Sequence, residues 1–237
     1  MLLYLQLNDL SMRSLLSNLK IAVPDKIYLK DPESSKLGKR IIEHSILLID
    51  QIGFDSFTFK KLGVEIGSNE SSIYRYFESK HKLLVYLTSW YWAWIEYQMV
   101  FATLNINDPQ DKLLKAIEVV TRTIEQDDSF SHINEVLLHK IIINESSKSY
   151  LTKAVDTENK EGYFSVYKRM ITRIKDMILE VNTNYMFASS LASTIVEGAL
   201  HQHFLKEHFT SITNCNADVS PSEFFKKITL STLKNDA

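Results

Sequence analysis

The chain has 237 residues, 45% of them hydrophobic, one cysteine and a formal charge of −2, enough to bury a core in one large domain or two small ones. Only six Gly and four Pro occur; sheet folds need frequent turn residues, so a sandwich, a barrel or a Gly-loop nucleotide fold is excluded in favour of long helices. The lone Cys215 excludes an internal disulfide framework and a Cys-rich zinc site, and the absence of a basic-led apolar leader points to the cytoplasm.

Taken in chain order, residues 1–35 stand apart as an arm. Leu7, Leu10, Leu15 and Leu19 can form one stripe of a short helix that Pro24 would end, and Asp31-Pro32-Glu33-Ser34-Ser35 reads as a turn. Either this arm is poorly ordered or translation starts at Met12. From Lys36 the helical signal is strong: Ile41, Ser45, Leu48, Ile49 and Ile52 share a face, and Gly53 sits at a C-terminal stop. Thr58 can cap a short helix to about Ile66, closed by Gly67, and Asn69 a third through about Tyr76. Ser79 then caps a fourth, long helix to about Thr103. Two short helices joined by a tight Gly-containing turn make a helix-turn-helix candidate.

Leu83 to Asn107 carries Glu96 as its only charge and approaches the length of a membrane span. Polar Thr88, Ser89, Gln98, Thr103 and Asn105 interrupt it, so a buried core helix is expected and no membrane partner. Asp108-Pro109 supplies a cap and a first-turn proline for a helix to about Gln126. Apolar periodicity predicts helices over 130–143, 149–181 and 184–209. A polar loop from Thr210 to Val219, expected to be mobile, precedes the capping box Ser220-Pro221-Ser222-Glu223 and a last helix to about Lys234. No internal repeat is visible, so the chain is not a solenoid. The fold class is all-α: an N-terminal three-helix bundle with a helix-turn-helix, and a larger C-terminal helical domain.

Within the candidate motif, Leu62, Ile66, Ile73 and Phe77 would pin the short helices against the first. Glu70, Ser71, Ser72, Tyr74 and Arg75 are then left to face outward, and short polar side chains at a helix start allow close entry to a major groove. Hydroxyls, Tyr and Lys suit phosphate contacts, which set register. Between Lys36 and Lys82 there are eight Lys/Arg and six Asp/Glu, a weak positive excess that points to few phosphate contacts per subunit.

The run from Gly53 to Lys80, above all Ile73-Tyr74-Arg75-Tyr76-Phe77 followed by Ser79-Lys80, resembles the DNA-binding domain of the tetracycline-repressor (TetR) family of bacterial regulators. The likeness covers Lys39 to Leu84. It implies that Thr58, Tyr74, Tyr76 and Lys80 contact phosphates, and that Lys60, Glu70, Ser71, Ser72 and Arg75 lie near base edges, with Asn69 opening the reading helix. Gly63 and Ile66 stand where the family usually has Ala, and Ser68 where Val is common; the Gly63 change is expected to cost ~1 kcal/mol or less without altering the turn. Glu70 on the reading face would repel phosphates but can accept from cytosine N4. The resemblance implies a sequence-specific repressor without enzymatic activity, with a domain at 36–82 for operator DNA and one at 83–237 for effector binding and dimerisation. A homodimer would present two reading helices to a palindromic site.

Aromatic residues of the fourth helix cover more than one face. Tyr86, Trp90, Trp94, Tyr97 and Phe101, with Trp92 among them, would either pack as core or line an apolar effector pocket with Tyr163, Tyr167 and Met170. The effector would be a small apolar or amphipathic molecule, and no cofactor is expected. Glu197 and His201 are four apart and could share a metal, whereas His203 points elsewhere and His208 lies too far along. Exposed or interface histidines are the plainer reading, and no metal site is assigned. Phosphate-loop, H-E-x-x-H and nucleophile motifs are absent from the sequence. The competing reading is a helical small-molecule or metal-binding protein that does not touch DNA. For assembly, Ala188, Leu191, Ala192, Ile195, Ala199 and Leu200, with Phe224, Phe225, Ile228 and Leu233, offer small and apolar faces for close helix packing.

Overall fold

Gly53 takes up φ = 74°, which L side chains rarely adopt, and this kinks the first long helix, α1 (Lys36–Ser56), three residues before its end. The computed structural model describes residues 21–126 and 130–235. Leu7, Leu10, Leu15, Leu19 and Met12 lie outside the described residues. Of the arm, 3₁₀ turns form at Asp25–Ile27 and Pro32–Ser34, and Ser35 caps α1 through the Gly38 amide. Ile21 and Ile27 are buried in the main core, and Glu33 meets His132 at 2.7 Å, so this segment is strapped across the body.

The caps read from sequence all operate. Thr58 accepts from Lys61 N to open α2 (Phe59–Glu65), and Asn69 accepts from Ser72 N to open α3 (Glu70–Tyr74). Ser79 accepts from Lys82 N to open α4 (Lys80–Thr103), and Asp108 with Pro109 opens α5 (Pro109–Thr121). The expected ends are less accurate. The third helix stops at Tyr74, two residues short, because the Tyr76 and Phe77 amides both turn back to Ile73 O. α5 stops at Thr121 rather than Gln126, since Arg122 swings to ψ = 159°.

Helix 130–143 is in fact α6 (Glu135–Glu145), opened by Asn134, whose Oδ1 accepts from Leu137 N. The single helix expected over 149–181 is broken. A 3₁₀ turn at Ser146–Ser149 and the short α7 (Val155–Lys160) are followed by Gly162 at φ = 89°, and α8 runs Ser165–Val181. The chain continues as α9 (Ala188–His208) and α10 (Pro221–Asn235). Between them, Thr210–Ile212 forms a 3₁₀ turn and Asn216 Oδ1 accepts from Asp218 N and Val219 N.

Helix α4 is the spine. It packs on α5, α6 and α8, and α5 in turn carries α8, α9 and α10. Residues Leu83 to Glu96 are all buried, so this helix is apolar all round because it is enclosed all round. Its one mid-helix charge, Glu96, is 6% exposed and is held by Arg169 (2.6–3.0 Å) and Arg173 (2.6 Å) of α8. A buried carboxylate persists only when paired in this way. No helix among the described residues is long and apolar enough to cross a membrane. All described regular structure is helical, as the fold class required.

Candidate functional site

Three helices and the start of α4 build the first candidate surface. Ile41, Ile42, Ile46, Ile49, Phe57, Leu62, Ile66, Ile73 and Phe77 are at most 2% exposed and form its inner face. Holding α2 and α3 from behind leaves Thr58, Lys60, Asn69, Ser71, Tyr74 and Arg75 exposed on the other side, with Glu70 and Ser72 half-buried. Tyr74 stacks edge-on against Phe59 at 5.0 Å, which fixes the direction of its hydroxyl. Asn69 Oδ1 accepts from both Ser72 N (2.8 Å) and Ser72 Oγ (2.6 Å), so this pair shapes the helix start rather than reaching outward. Arg75, directly after α3, is an exposed cation.

Two residues expected at phosphates have partners within the protein. Tyr76 is only 3% exposed, its hydroxyl lies 2.8 Å from Ser35 Oγ, and Lys30 sits over its ring at 5.1 Å. Its role is to pin the arm to the domain. Lys80 Nζ donates to Phe54 O (3.0 Å), Asp55 O (3.0 Å) and Phe57 O (3.1 Å), which uses all three of its hydrogens on the turn after Gly53. It is a structural cap. Lys61, which sequence reasoning passed over, also bonds this turn, through Ser56 O at 2.8 Å.

The second surface lies inside the larger domain. A small cavity, about 20 Å³ and room for one water, sits between α4, the 146–149 turn, α8 and α9. Thr88, Trp92, Tyr150, Phe164, Tyr167 and Glu197 line it. Of the expected pocket residues Tyr167 and Trp92 do so. Tyr86 packs on Tyr28 and Phe77, Trp90 stacks on Trp94 and meets Phe130, and Tyr163 lies 3.7 Å beneath Lys82 Nζ. Met170 is fully buried, while Tyr97 stacks on Phe101 near the surface, where Phe101 is 61% exposed. These seven do not line this cavity.

Trp92 belongs to the aromatic run of the pocket reading, whereas Thr88, Tyr150, Phe164 and Glu197 are lining residues that it did not include. Val85, Thr88 or Ser89, and Trp92 follow i, i+3/4, i+7 spacing, a signal hidden because neighbouring faces of α4 are equally apolar. Glu197 Oε1 accepts from the Tyr167 hydroxyl, and Oε2 lies 3.4 Å from Tyr150 Oη. Burial, helped by the Glu197 charge, pushes the Tyr150 hydroxyl up to about 12, and Tyr167 is raised for the same reasons. Both phenols therefore stay protonated donors. Glu197 bonds tyrosines, not His201, and His203 is buried with its Nε2 3.0 Å from Thr121 O. Among the described residues no three metal-ligating side chains gather.

Residues 41–87 match the model for bacterial regulatory proteins of the tetR family. The chain carries the DNA-binding domain of the tetR family. The matched stretch is the part built from α1, α2, α3 and the start of α4. No curated protein matches the sequence. Solved structures similar to the whole chain share its fold at low identity. The superantigen PfiT covers 85% of this chain and 97% of its own, with 15% identity and TM-score 0.56. AibR, in complex with isovaleryl coenzyme A and operator DNA, covers 82% and 97%, with 13% identity and TM-score 0.53. The TetR family transcriptional regulator PfmR from Thermus thermophilus covers 82% and 97%, with 14% identity and TM-score 0.51. The TetR-type domain thus sits on a large helical body of a kind found with it elsewhere.

Two clasps join the TetR-type domain to that body. Glu145 Oε1, at the end of α6, accepts from Phe54 N at 3.1 Å, and Lys148 bridges Glu145 (2.8 Å) and Asp55 (2.7 Å). Glu158 of α7 meets His81 Nε2 at 2.9 Å and Lys82 Nζ at 3.6 Å, at the first turn of α4. The cavity lies between the clasps, and Ser146 and Ser149 in its wall directly follow Glu145.

Proposed function

We propose that this chain is a sequence-specific transcriptional repressor of the cytoplasm, acting as a homodimer on operator DNA and released by a small effector. The observation that carries the reading is the exposed row Thr58, Lys60, Ser71, Tyr74 and Arg75 on helices whose opposite face is fully buried. In this reading residues 36–82 hold the DNA and 83–237 hold the effector and the dimer contacts. Thr58 and Tyr74 serve the phosphates, while Lys60, Glu70, Ser71 and Arg75 lie at base edges and Asn69 with Ser72 sets the entry of α3. The protein carries out no chemistry. That one solved neighbour of this fold was captured with an acyl thioester and operator DNA together supports a shared body for both ligands.

Effector release follows from linkage. A molecule entering the cavity pushes on Tyr150 and the 146–149 turn, which continue into the Glu145–Phe54 clasp, and on α4, which continues into the reading domain. It changes DNA affinity only by its differential affinity for the two arrangements; tenfold needs about 1.4 kcal/mol. The test is binding to the DNA upstream of its own gene at several salt concentrations. A regulator shows affinity that falls steeply with salt and exceeds its affinity for shuffled DNA. Equal affinity for both sequences contradicts sequence-specific binding, and no binding at low salt favours the non-DNA helical protein.

A further inference from the structure

We infer that the cavity between α4, α8 and α9 selects a small organic cation, a protonated amine or quaternary ammonium, over neutral and anionic molecules of the same shape. This rests on the cavity being the effector site.

Glu197 is the one charged residue in the cavity wall, and no Lys or Arg lines it. Three other carboxylates between helices are paired with cations: Glu96 with Arg169 and Arg173, Glu158 with His81 and Lys82, Glu118 with Lys115 and Lys226. Glu197 instead meets the hydroxyls of Tyr150 and Tyr167, which satisfy its oxygens as hydrogen-bond acceptors but leave its charge uncompensated. Glu197 is half-buried, and a carboxylate partly withdrawn from water with no counter-charge gains from a bound cation. The remaining wall suits the same guest. Trp92, Tyr150, Phe164 and Tyr167 supply ring faces, with Trp92 and Tyr167 at 5.5 Å between centroids and tilted by 50°. Rings so arranged attract an alkylammonium through their quadrupoles and tolerate its apolar skin. Thr88 Oγ1, buried in the wall, has no hydrogen-bond partner among the described residues and is free to bond a polar tail.

An anion in this space would face Glu197 with no positive group to offset it, and a neutral molecule would leave the carboxylate unpaired. With room for one water, the cavity must open to admit even a trimethylammonium group.

The test uses the full-length protein and three matched probes: choline, its neutral carbon isostere 3,3-dimethylbutan-1-ol, and the anion 3,3-dimethylbutanoate. Binding is read by calorimetry and tryptophan fluorescence, with DNA binding measured on the same preparation. Choline should bind at least tenfold more tightly than the neutral isostere, the anion should not compete, and Glu197→Gln should abolish the preference. Should Glu197→Gln fail to fold, the ranking of the three probes on the unaltered protein decides alone. Equal or tighter binding of the neutral or anionic probe overturns the cation assignment while leaving an effector cavity. Binding of none of the three, with operator binding intact, overturns it and leaves the regulator standing; absent operator binding strikes the proposed function instead.

Discussion

Glu145 Oε1 accepts the amide hydrogen of Phe54 at 3.1 Å, fastening the end of α6 to the kink of α1 across 91 residues of chain. The amide is free to be taken because Gly53 has left the helical path at φ = 74°, and Lys148 ties the same carboxylate to Asp55. Glu145→Ala removes the acceptor and is expected to cost about 1–3 kcal/mol in urea denaturation, whereas Glu145→Gln keeps an oxygen there and costs less. If the clasp carries effector binding to the DNA domain, Glu145→Ala also shrinks the ratio of operator affinities without and with effector. An unchanged ratio would show that α4 alone transmits.

Lys80 and Arg75 should separate cleanly. Lys80→Ala strips the cap from three carbonyls at the end of α1, so it should lower stability by about 1–3 kcal/mol and weaken operator binding through loss of fold. Arg75→Ala should leave thermal unfolding unchanged, cost ~1–3 kcal/mol of operator binding and relax base preference at one position. Thr58→Ala falls between, because Thr58 both caps α2 and offers a hydroxyl to phosphate. A Lys80→Ala protein with unaltered stability and a shallower salt slope would restore a phosphate role to that lysine.

The contrast between these residues marks what was legible in the sequence. Caps are local, so Ser79, Thr58, Asn69 and Asp108 announced four helix starts by residue type and position alone. The motif around Tyr74 and Arg75 was legible for the same reason. The capping bonds of Lys80 were not legible because its partners lie 23–26 residues away, and a side chain near a helix start carries no mark of what its hydrogens bond. The lining of the small cavity was not legible for a different cause. In a helix buried on every side, periodicity cannot rank Trp90, Trp92 and Trp94, since each is at most 3% exposed. The break at Gly162 was hidden within a strong apolar repeat on either side.

Gly63 offers a test of the turn itself. Ser68 N donates to Gly63 O at 2.8 Å, and a Cβ on Gly63 would lie 2.8 Å from the Ser68 carbonyl oxygen, closer than such atoms approach. The expectation that glycine here merely weakens the helix and leaves the turn unchanged is therefore corrected: the turn has closed onto the glycine. Gly63→Ala, despite the gain in helix propensity, is expected to lower stability and operator affinity together. A higher melting temperature with unchanged DNA affinity would mean that α2 and α3 can part by a few tenths of an ångström at no cost.

His139 makes the fold acid-sensitive. Burial, with the nearby His203 charge adding to it, holds its imidazole down to about 3, and Tyr91 Oη lies 2.8 Å from its Nδ1. Unfolded, a histidine takes up its proton near 6.5, so between about 6.5 and 3 the unfolded chain binds a proton that the folded one does not. Stability is then full above about pH 6.5 and falls as pH drops through that window, at roughly 1.4 kcal/mol per pH unit per proton. His203, lowered chiefly by burial, acts in the same direction. Urea denaturation at pH 5 and pH 7 should show the loss, and His139→Gln should flatten it; a slope identical to the unaltered protein would exonerate His139.

Assembly is the last expectation, and burial within the subunit narrows the face open to it. Ala188, Ala192, Ile195, Ala199, Leu200, Phe225 and Leu233 are buried within the subunit, so most of the stripe expected to dimerise is already occupied. Gly198 lets α9 and α10 approach, since a Cβ there would lie 2.7 Å from the Phe225 ring. What remains outside is Phe187 at 55% exposure, exposed Ser190 and Thr194 along α9, and Phe224 and Ile228 of α10 at 43% each. Small side chains flanked by exposed rings allow two copies of α9 and α10 to pack closely about a two-fold axis, which would set two reading helices on successive major grooves. Phe224→Glu with Ile228→Glu places charge on that face, and since Phe224 also meets the buried Phe225 edge-on at 5.0 Å, the fold of the variant is checked alongside. The expected result is a monomer by sedimentation at micromolar concentration, with a folded circular dichroism spectrum, and operator affinity reduced at least a hundredfold because one half-site is lost. A double variant that still sediments as a dimer would place the interface elsewhere, and a monomer that binds the full operator as tightly as before would remove the two-fold reading altogether.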